Sequence, residues 1–303
     1  MTAVTGTGPP ASTGEELPLS DGPDSPGLGP QQVYALGADT GERARLIRQS
    51  GELRPEAEAL LTRIGLRPGD AALDLGCGPR GILGLLAAAV SPGGRVVGLD
   101  ADPGHVAAAA AGYPRSGPGN VQVIRGDARH TGLPSGSFDL VHARTLLVTI
   151  PEPAEVLAEM VRLARPGGWV ASQEPDVEHA LCHPPLPAWD RLWEIFRAAF
   201  TRAGADLHTG RRLVQMYRRA GLQDVQVQVH AGTYPAGHSR RTVIPDLVRS
   251  LRPVIGELGL ASGAELAEVD RAVRRHLDDP DTLMMPHLLV AVWGRKPEMA
   301  TKS

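Results

Sequence analysis

Gly76, Gly78 and Gly81 stand in the run Leu73-Asp74-Leu75-Gly76-Cys77-Gly78-Pro79-Arg80-Gly81. Glycines at that spacing, after an apolar run and before a helical pattern, form a loop whose backbone can approach a nucleotide-type ligand closely. Asp100 closes the next apolar run, where a carboxylate can accept hydrogen bonds from both hydroxyls of a ribose. A nicotinamide dinucleotide fits these features. Asp74 weighs against it. It lies two residues before Gly76, so a pyrophosphate would meet a fixed negative charge and a cationic ligand would be favoured. Gly126-Asp127-Ala128 closes a third apolar run. A carboxylate there can accept an adenine amino group while a backbone amide meets the ring.

Other groups could act on a bound molecule. Glu174-Pro175-Asp176-Val177-Glu178-His179 follows the fifth apolar run. His179 or Glu174 there could deprotonate a hydroxyl or an acidic carbon; a polar loop with solvated side chains is the competing reading. Arg144 follows the fourth run and faces the crevice where such sheets bind ligands. It suits a carboxylate of cofactor or substrate, or a structural ion pair. His179, Cys182 and His183 have metal-ligand spacing, but Pro175, Pro184 and Pro185 flank them and oppose a regular helix, so no metal is expected. Cys77 reads as a small packing residue.

The segments LDLGCGPRG, VVGLDADP, GDARHTGLPSGSFDLV and LARPGGWVASQEP together resemble the class I, Rossmann-like S-adenosylmethionine-dependent methyltransferases. The likeness is to the small-molecule branch that includes bacterial ubiquinone/menaquinone-type enzymes. It covers residues 34–175 well and the rest weakly. It implies a doubly wound seven-stranded α/β sheet, mostly parallel, with an antiparallel last strand. S-adenosylmethionine would be the cofactor and S-adenosylhomocysteine the product. Asp74, Gly76 and Gly78 would approach the methionine part, Asp100 the ribose and Ala101 the adenine, with Asp127 and Ala128 reading the adenine edge. Tyr34 and Arg45, in a segment similar to an N-terminal cap of related enzymes, would reach the methionine carboxylate. Arg80 departs from the pattern, which usually has a glycine there. That implies a turn one residue longer. Methyl transfer to an O, N or C atom of a small, partly apolar metabolite is the expected activity, as a tailoring step of secondary metabolism. A cyclase-like enzyme that keeps its methyl group, a non-catalytic binding protein and a dehydrogenase are the alternatives.

The elements that must position these groups follow from periodicity. Short apolar runs at Ala71–Leu75, Arg95–Leu99, Val121–Ile124, Phe138–Ala143 and Trp169–Gln173 alternate with helical patterns, as in a parallel sheet covered on both faces. Asp102 with Pro103, and Pro153, open helices. Asp39 with Glu42, and Ser262 with Glu265, have capping-box spacing. Beyond residue 175 the alternation breaks. A helix at Trp189–Ala203 carries Trp189, Leu192, Trp193, Phe196 and Phe200 at helical spacing; it reads as core or as an apolar roof. No new strand is expected over 176–210. The alternation of Val225, Val227 and Val229 predicts a strand with one covered face. The expected organisation is a disordered tail at 1–30, a helical cap at 31–66, a cofactor-binding core at 67–175 and a helical insertion at 176–210. The rest of the core follows at 211–297, interrupted by a helical lid at about 240–280, and a short tail ends the chain.

The 303 residues suffice for one large domain with additions, and 42% are hydrophobic. Net charge is −3 with both signs interspersed, which argues against a nucleic-acid partner. Two cysteines, no signal-peptide pattern and no membrane-length apolar run make a cytoplasmic protein the expectation. The expected partner is a small-molecule substrate; a homodimer is compatible with the sequence.

Overall fold

The structure, a computed structural model, describes residues 40–113 and 120–298. Tyr34 and Asp39 lie outside the described residues. The chain begins with α1 (Thr40–Glu52) and α2 (Arg54–Ile64), then β1 (Ala71–Leu75), α3 (Leu83–Val90), β2 (Arg95–Asp100), α4 (Pro103–Ala111) and β3 (Val121–Arg125). It continues through β4 (Phe138–Arg144), a 3-10 turn at Leu147–Thr149, α5 (Pro153–Leu163), β5 (Ala164–Asp176), β6 (Leu181–His183), α6 (Pro187–Arg202), α7 (Thr209–Arg219) and β7 (Gln223–Ala231). A second 3-10 turn at Ser239–Thr242 precedes α8 (Val243–Ser250), α9 (Arg252–Glu257), α10 (Gly263–Leu277), β8 (Leu283–Met285) and β9 (Leu288–Arg295).

Seven strands form one sheet in the order β3-β2-β1-β4-β5-β9-β7, with β9 antiparallel to both neighbours. Strands buried on both faces need apolar side chains of both parities, and β1, Ala-Ala-Leu-Asp-Leu, is buried throughout. Ala72, Leu140 and Ala171 face α2 and α3 through Leu60, Ile64, Leu83 and Leu86. Leu73, Val141 and Val170 face α5 and α7 through Leu157, Met160, Leu213 and Tyr217. Helix starts and stops follow local chemistry. Asp102 accepts the His105 amide, Ser262 accepts the Glu265 amide, and Gly65 ends α2 in the left-handed region.

Two insertions rise from the carboxyl edge of the sheet, one between β5 and β7 and one between β7 and β9. They share an apolar core of their own, built from Leu192, Trp193 and Phe196 of α6 with Ile244, Val248, Ile255, Val273 and Leu277. The aromatic stripe of α6 is therefore consumed inside this lid. Trp189, Trp193 and Phe196 are each buried, in edge-on contacts at 5.8 and 5.5 Å.

Two expectations are corrected. A strand does form within 176–210: β6 pairs with β8, about a hundred residues later in the chain. Three residues are too few to show an alternation, and their partner is remote in sequence. The second concerns β7, where Val227 and Val229 are 51% and 53% exposed. β7 is the edge strand, and of this valine row only Val225 packs against the core.

Candidate functional site

Three glycines shape the loop between β1 and α3. Gly76, Gly78 and Gly81 take φ of +63°, +57° and +53°, a region that glycine enters without strain. A side-chain carbon at Gly78 would meet nothing within 4 Å, so the loop presents an open backbone face there. At Gly81 the same atom would strike the Asp74 carboxylate and stand 2.8 Å from the Cys77 carbonyl oxygen. The third left-handed turn thus falls on Gly81 while Arg80 is exposed, which accounts for the displaced glycine. Gly81→Ala should destabilise the fold by about 2–3 kcal/mol from backbone strain and this collision. A shifted urea midpoint checks it; an unchanged midpoint would mean the loop yields freely.

Each predicted carboxylate has a definite place. Asp74 is 2% exposed. It accepts the Ile82 amide at 3.0 Å and contacts His142 Nδ1 at 2.8 Å, so it ties the loop to β4. Asp100 sits at the carboxyl end of β2. Its Oδ2 accepts the Gly78 amide at 2.8 Å, and its Oδ1 accepts the Asp102 amide at 2.9 Å. His105 Nδ1 lies 3.3 Å from the same carboxylate. Burial opposes charge on His105, but Asp100 outweighs it and raises the imidazole above its usual range. Asp127 is bound by its neighbour Arg129, whose Nη2 donates to Oδ2 at 2.7 Å, and this bond holds the Asp127 carboxyl below the usual range. Ala128 is buried, whereas Ala101 is exposed and its carbonyl accepts Arg125 Nε at 3.2 Å. Burial, with Asp74 and Asp100 nearby, pushes the Cys77 thiol up, so Cys77 is a packing residue.

The end of β4 forms the other wall. Arg144 donates to the Leu53 carbonyl at 3.1 Å and to Ser50 Oγ at 3.2 Å. Burial pushes its guanidinium down, with Asp74 and Glu56 opposing, and no carboxylate among the described residues forms an ion pair with it. Thr145 follows with φ +53°, a strained value for a β-branched residue, held by the Gln173 carbonyl on its amide at 2.9 Å. Leu146 then covers Gly76 so closely that a side-chain carbon there would stand 2.6 Å from its Cδ1 and displace it.

Helix α1 closes the front. Ser50 donates to the Gly81 carbonyl at 2.5 Å and touches Arg144, so one hydroxyl links the glycine loop to β4. Arg45 is buried and binds Glu42 at 2.6 Å and Gln49 at 2.7 Å, while Glu42 also accepts Ser250 of α8 at 3.1 Å. Glu42 thus ties Arg45 to α8, while its expected capping partner Asp39 lies outside the described residues. Ser50 gave no sequence signal, since a lone serine on a polar helix face is ordinary.

The two proposed bases fare differently from expectation. Glu174 lies inside β5, which extends to Asp176, and is fully buried. Its oxygens accept the amides of Leu146, Leu147 and Val148 at 3.1, 3.1 and 3.2 Å. It is a structural anchor of the β4 loop and not an acceptor-facing base. His179 is exposed on the turn after β5. Its neighbour Glu178 binds His208 at 2.5 Å beside a cavity of about 560 Å³ lined by Pro151, Val177, Arg197, Asp206 and Arg212. No residue of the glycine loop lines that cavity.

The open face at Gly78, the Asp100 carboxylate beside it and the Arg144 cation, which has no ion-pair partner among the described residues, suit a nucleoside that carries an amino-acid tail. Comparison with known proteins agrees. Residues 73–172 match the methyltransferase domain family. A trans-aconitate 2-methyltransferase of Methylobacterium radiotolerans is 38% identical over 215 residues, 68% of this chain and 77% of that protein. A nocamycin O-methyltransferase of Saccharothrix syringae is 40% identical over 122 residues, 40% of this chain and 44% of that protein. The chain spans 35% and 44% of the length of the first curated relatives it matches. A phosphoethanolamine N-methyltransferase of Haemonchus contortus, solved with S-adenosylhomocysteine, shares the fold at TM-score 0.53 and 20% identity, over 79% of this chain and 52% of that one. These findings do not favour the dehydrogenase or cyclase readings. With a seven-stranded sheet of this order and these relatives, the chain belongs to the class I, Rossmann-like S-adenosylmethionine-dependent methyltransferases, whose cofactor is S-adenosylmethionine.

Proposed function

We propose that the protein transfers a methyl group from S-adenosylmethionine to an O, N or C atom of a small molecule held between the lid and the carboxyl ends of β4 and β5. The observation that carries this is the Asp100–Gly78 contact at the open face of the glycine loop. When bound, the cofactor supplies an electrophilic methyl on a sulfonium. Asp100 would accept the ribose hydroxyls, Asp127 and Ala128 would read the adenine edge, and Arg144 with Arg45 would hold the methionine carboxylate. Lid, α1 and sheet would exclude water and orient the acceptor, which supplies much of the acceleration in a displacement whose leaving group is neutral. His179 is the remaining candidate for a base, where the acceptor needs one. The chain's likeness to a nocamycin O-methyltransferase supports a tailoring step on a secondary metabolite, and a chain with only two cysteines suits a reducing cytoplasm.

Among the described residues no helix is long and apolar enough to cross a membrane. Calorimetry with S-adenosylhomocysteine and with NAD tests the cofactor. Release of S-adenosylhomocysteine upon adding a small acceptor, with trans-aconitate tried first, tests the transfer. Binding of NAD and not of S-adenosylhomocysteine would overturn the proposal.

A further inference from the structure

Arg240 stands on the 3-10 turn that opens the second insertion and is 3% exposed. Burying a guanidinium is costly unless an anion accompanies it. Among the described residues no carboxylate lies within ion-pair distance. Its Nη2 donates to His287 Nε2 at 3.1 Å, its carbon stands 5.8 Å from the Tyr234 ring centre, and its Nε is buried without a hydrogen-bond partner. A guanidinium cannot accept a hydrogen bond, so His287 Nε2 must be the acceptor. Burial and the Arg240 charge push His287 down to about 3, so the ring is neutral and its proton sits on Nδ1. That Nδ1 is also buried and has no partner. Two donors and one full positive charge therefore lack an acceptor.

The place of this pair matters. Ser239 donates to Glu52, and the carbonyl of the next residue, Leu53, accepts Arg144. Arg240 is close enough to Arg144 for the two cations to repel. His287 immediately precedes Leu288, which pairs with Asp176 at the carboxyl end of β5. Arg240 and His287 thus lie where the second insertion joins the carboxyl end of β5, the end of the sheet at which the proposed acceptor would bind. A fold that keeps a buried cation beside a second, half-buried one gives up stability there, as binding sites commonly do.

We propose that Arg240 and His287 anchor a carboxylate of the acceptor, with Arg144 adding positive potential, so that the substrate class is a carboxylate-bearing metabolite and not a neutral apolar one. This rests on the methyl-transfer reading above. The test uses the full chain saturated with S-adenosylhomocysteine, titrated calorimetrically with citrate, succinate, benzoate and octanoate and with the methyl ester of each. At least one carboxylate should bind, its ester should bind about tenfold more weakly or worse, and Arg240→Gln should lose about tenfold or more of the carboxylate affinity. S-adenosylhomocysteine affinity should stay within about twofold, since Arg240 faces the acceptor side. Arg240→Met, a substitution of similar length, should melt at or above the wild-type temperature because it removes an uncompensated charge. The proposal is overturned if no carboxylate binds, if esters bind equally, if Arg240→Gln binds as wild type does, or if Arg240→Met melts lower. Failure of S-adenosylhomocysteine itself to bind would instead overturn the methyl-transfer reading.

Discussion

Asp100→Ala weakens S-adenosylhomocysteine binding by about 100-fold or more. Two effects add. In the proposed cofactor site this carboxylate would take both ribose hydroxyls, and hydrogen bonds to a charged group contribute about 1.5–3 kcal/mol each. The same carboxylate accepts the Gly78 amide at 2.8 Å and the Asp102 amide at 2.9 Å, so its loss also releases the glycine loop. Even one lost bond together with loop loosening reaches the 2.7 kcal/mol or so that 100-fold represents. Calorimetric titration reads the affinity, and thermal melting without ligand reads the loop. Asp100→Asn should fall between the two proteins, because it keeps the shape and one acceptor. An unchanged affinity in the alanine variant would remove Asp100 from the cofactor site.

Glu174→Ala costs about 3–5 kcal/mol of stability. It leaves three buried amides, those of Leu146, Leu147 and Val148, without an acceptor, and each such group costs about 1–3 kcal/mol. That is a large part of a typical domain's total stability of about 5–15 kcal/mol. The residue also gives the fold a pH dependence. Burial pushes its carboxyl up to about 8 against the three amides that favour the anion. Below the ordinary glutamate range both states hold the proton. Between there and about 8 the unfolded chain releases a proton that the native state keeps, so stability falls as pH rises through this window. Glu174→Gln cannot titrate. It should be less stable than wild type at low pH, because its amide group opposes an N–H donor, and should lack this slope. Urea midpoints of the two proteins from pH 5 to 9 check the difference; parallel curves would refute it.

Glu174 also shows where sequence reasoning stops. Its type and position after an apolar run suggested a base on the cofactor side. The strand runs three residues further than the apolar run, and strand parity then turns Glu174 onto the α5 and α7 face. The glycine loop, the strand-end aspartates and the caps at Asp102 and Ser262 were legible, because each is a local requirement written in neighbouring residues. The valine alternation of β7 was legible as a strand but not as an edge, since what covers a face is decided by distant helices. Ser50, Thr145 and Arg240 were silent for the same reason. Ser50 matters through Gly81 and Arg144, Thr145 through its backbone, and Arg240 through the anion it lacks.

The lid core shares no residue with the two apolar clusters that hold the sheet. The match to the methyltransferase domain family ends at residue 172, before either insertion begins. The two cores meet at Val148 and Val177, which belong to the lid cluster but stand on the β4 loop and just after β5. In the proposed reading the packing that would hold the methyl donor and the packing that would shape the acceptor pocket are thus two separate cores meeting at one crevice.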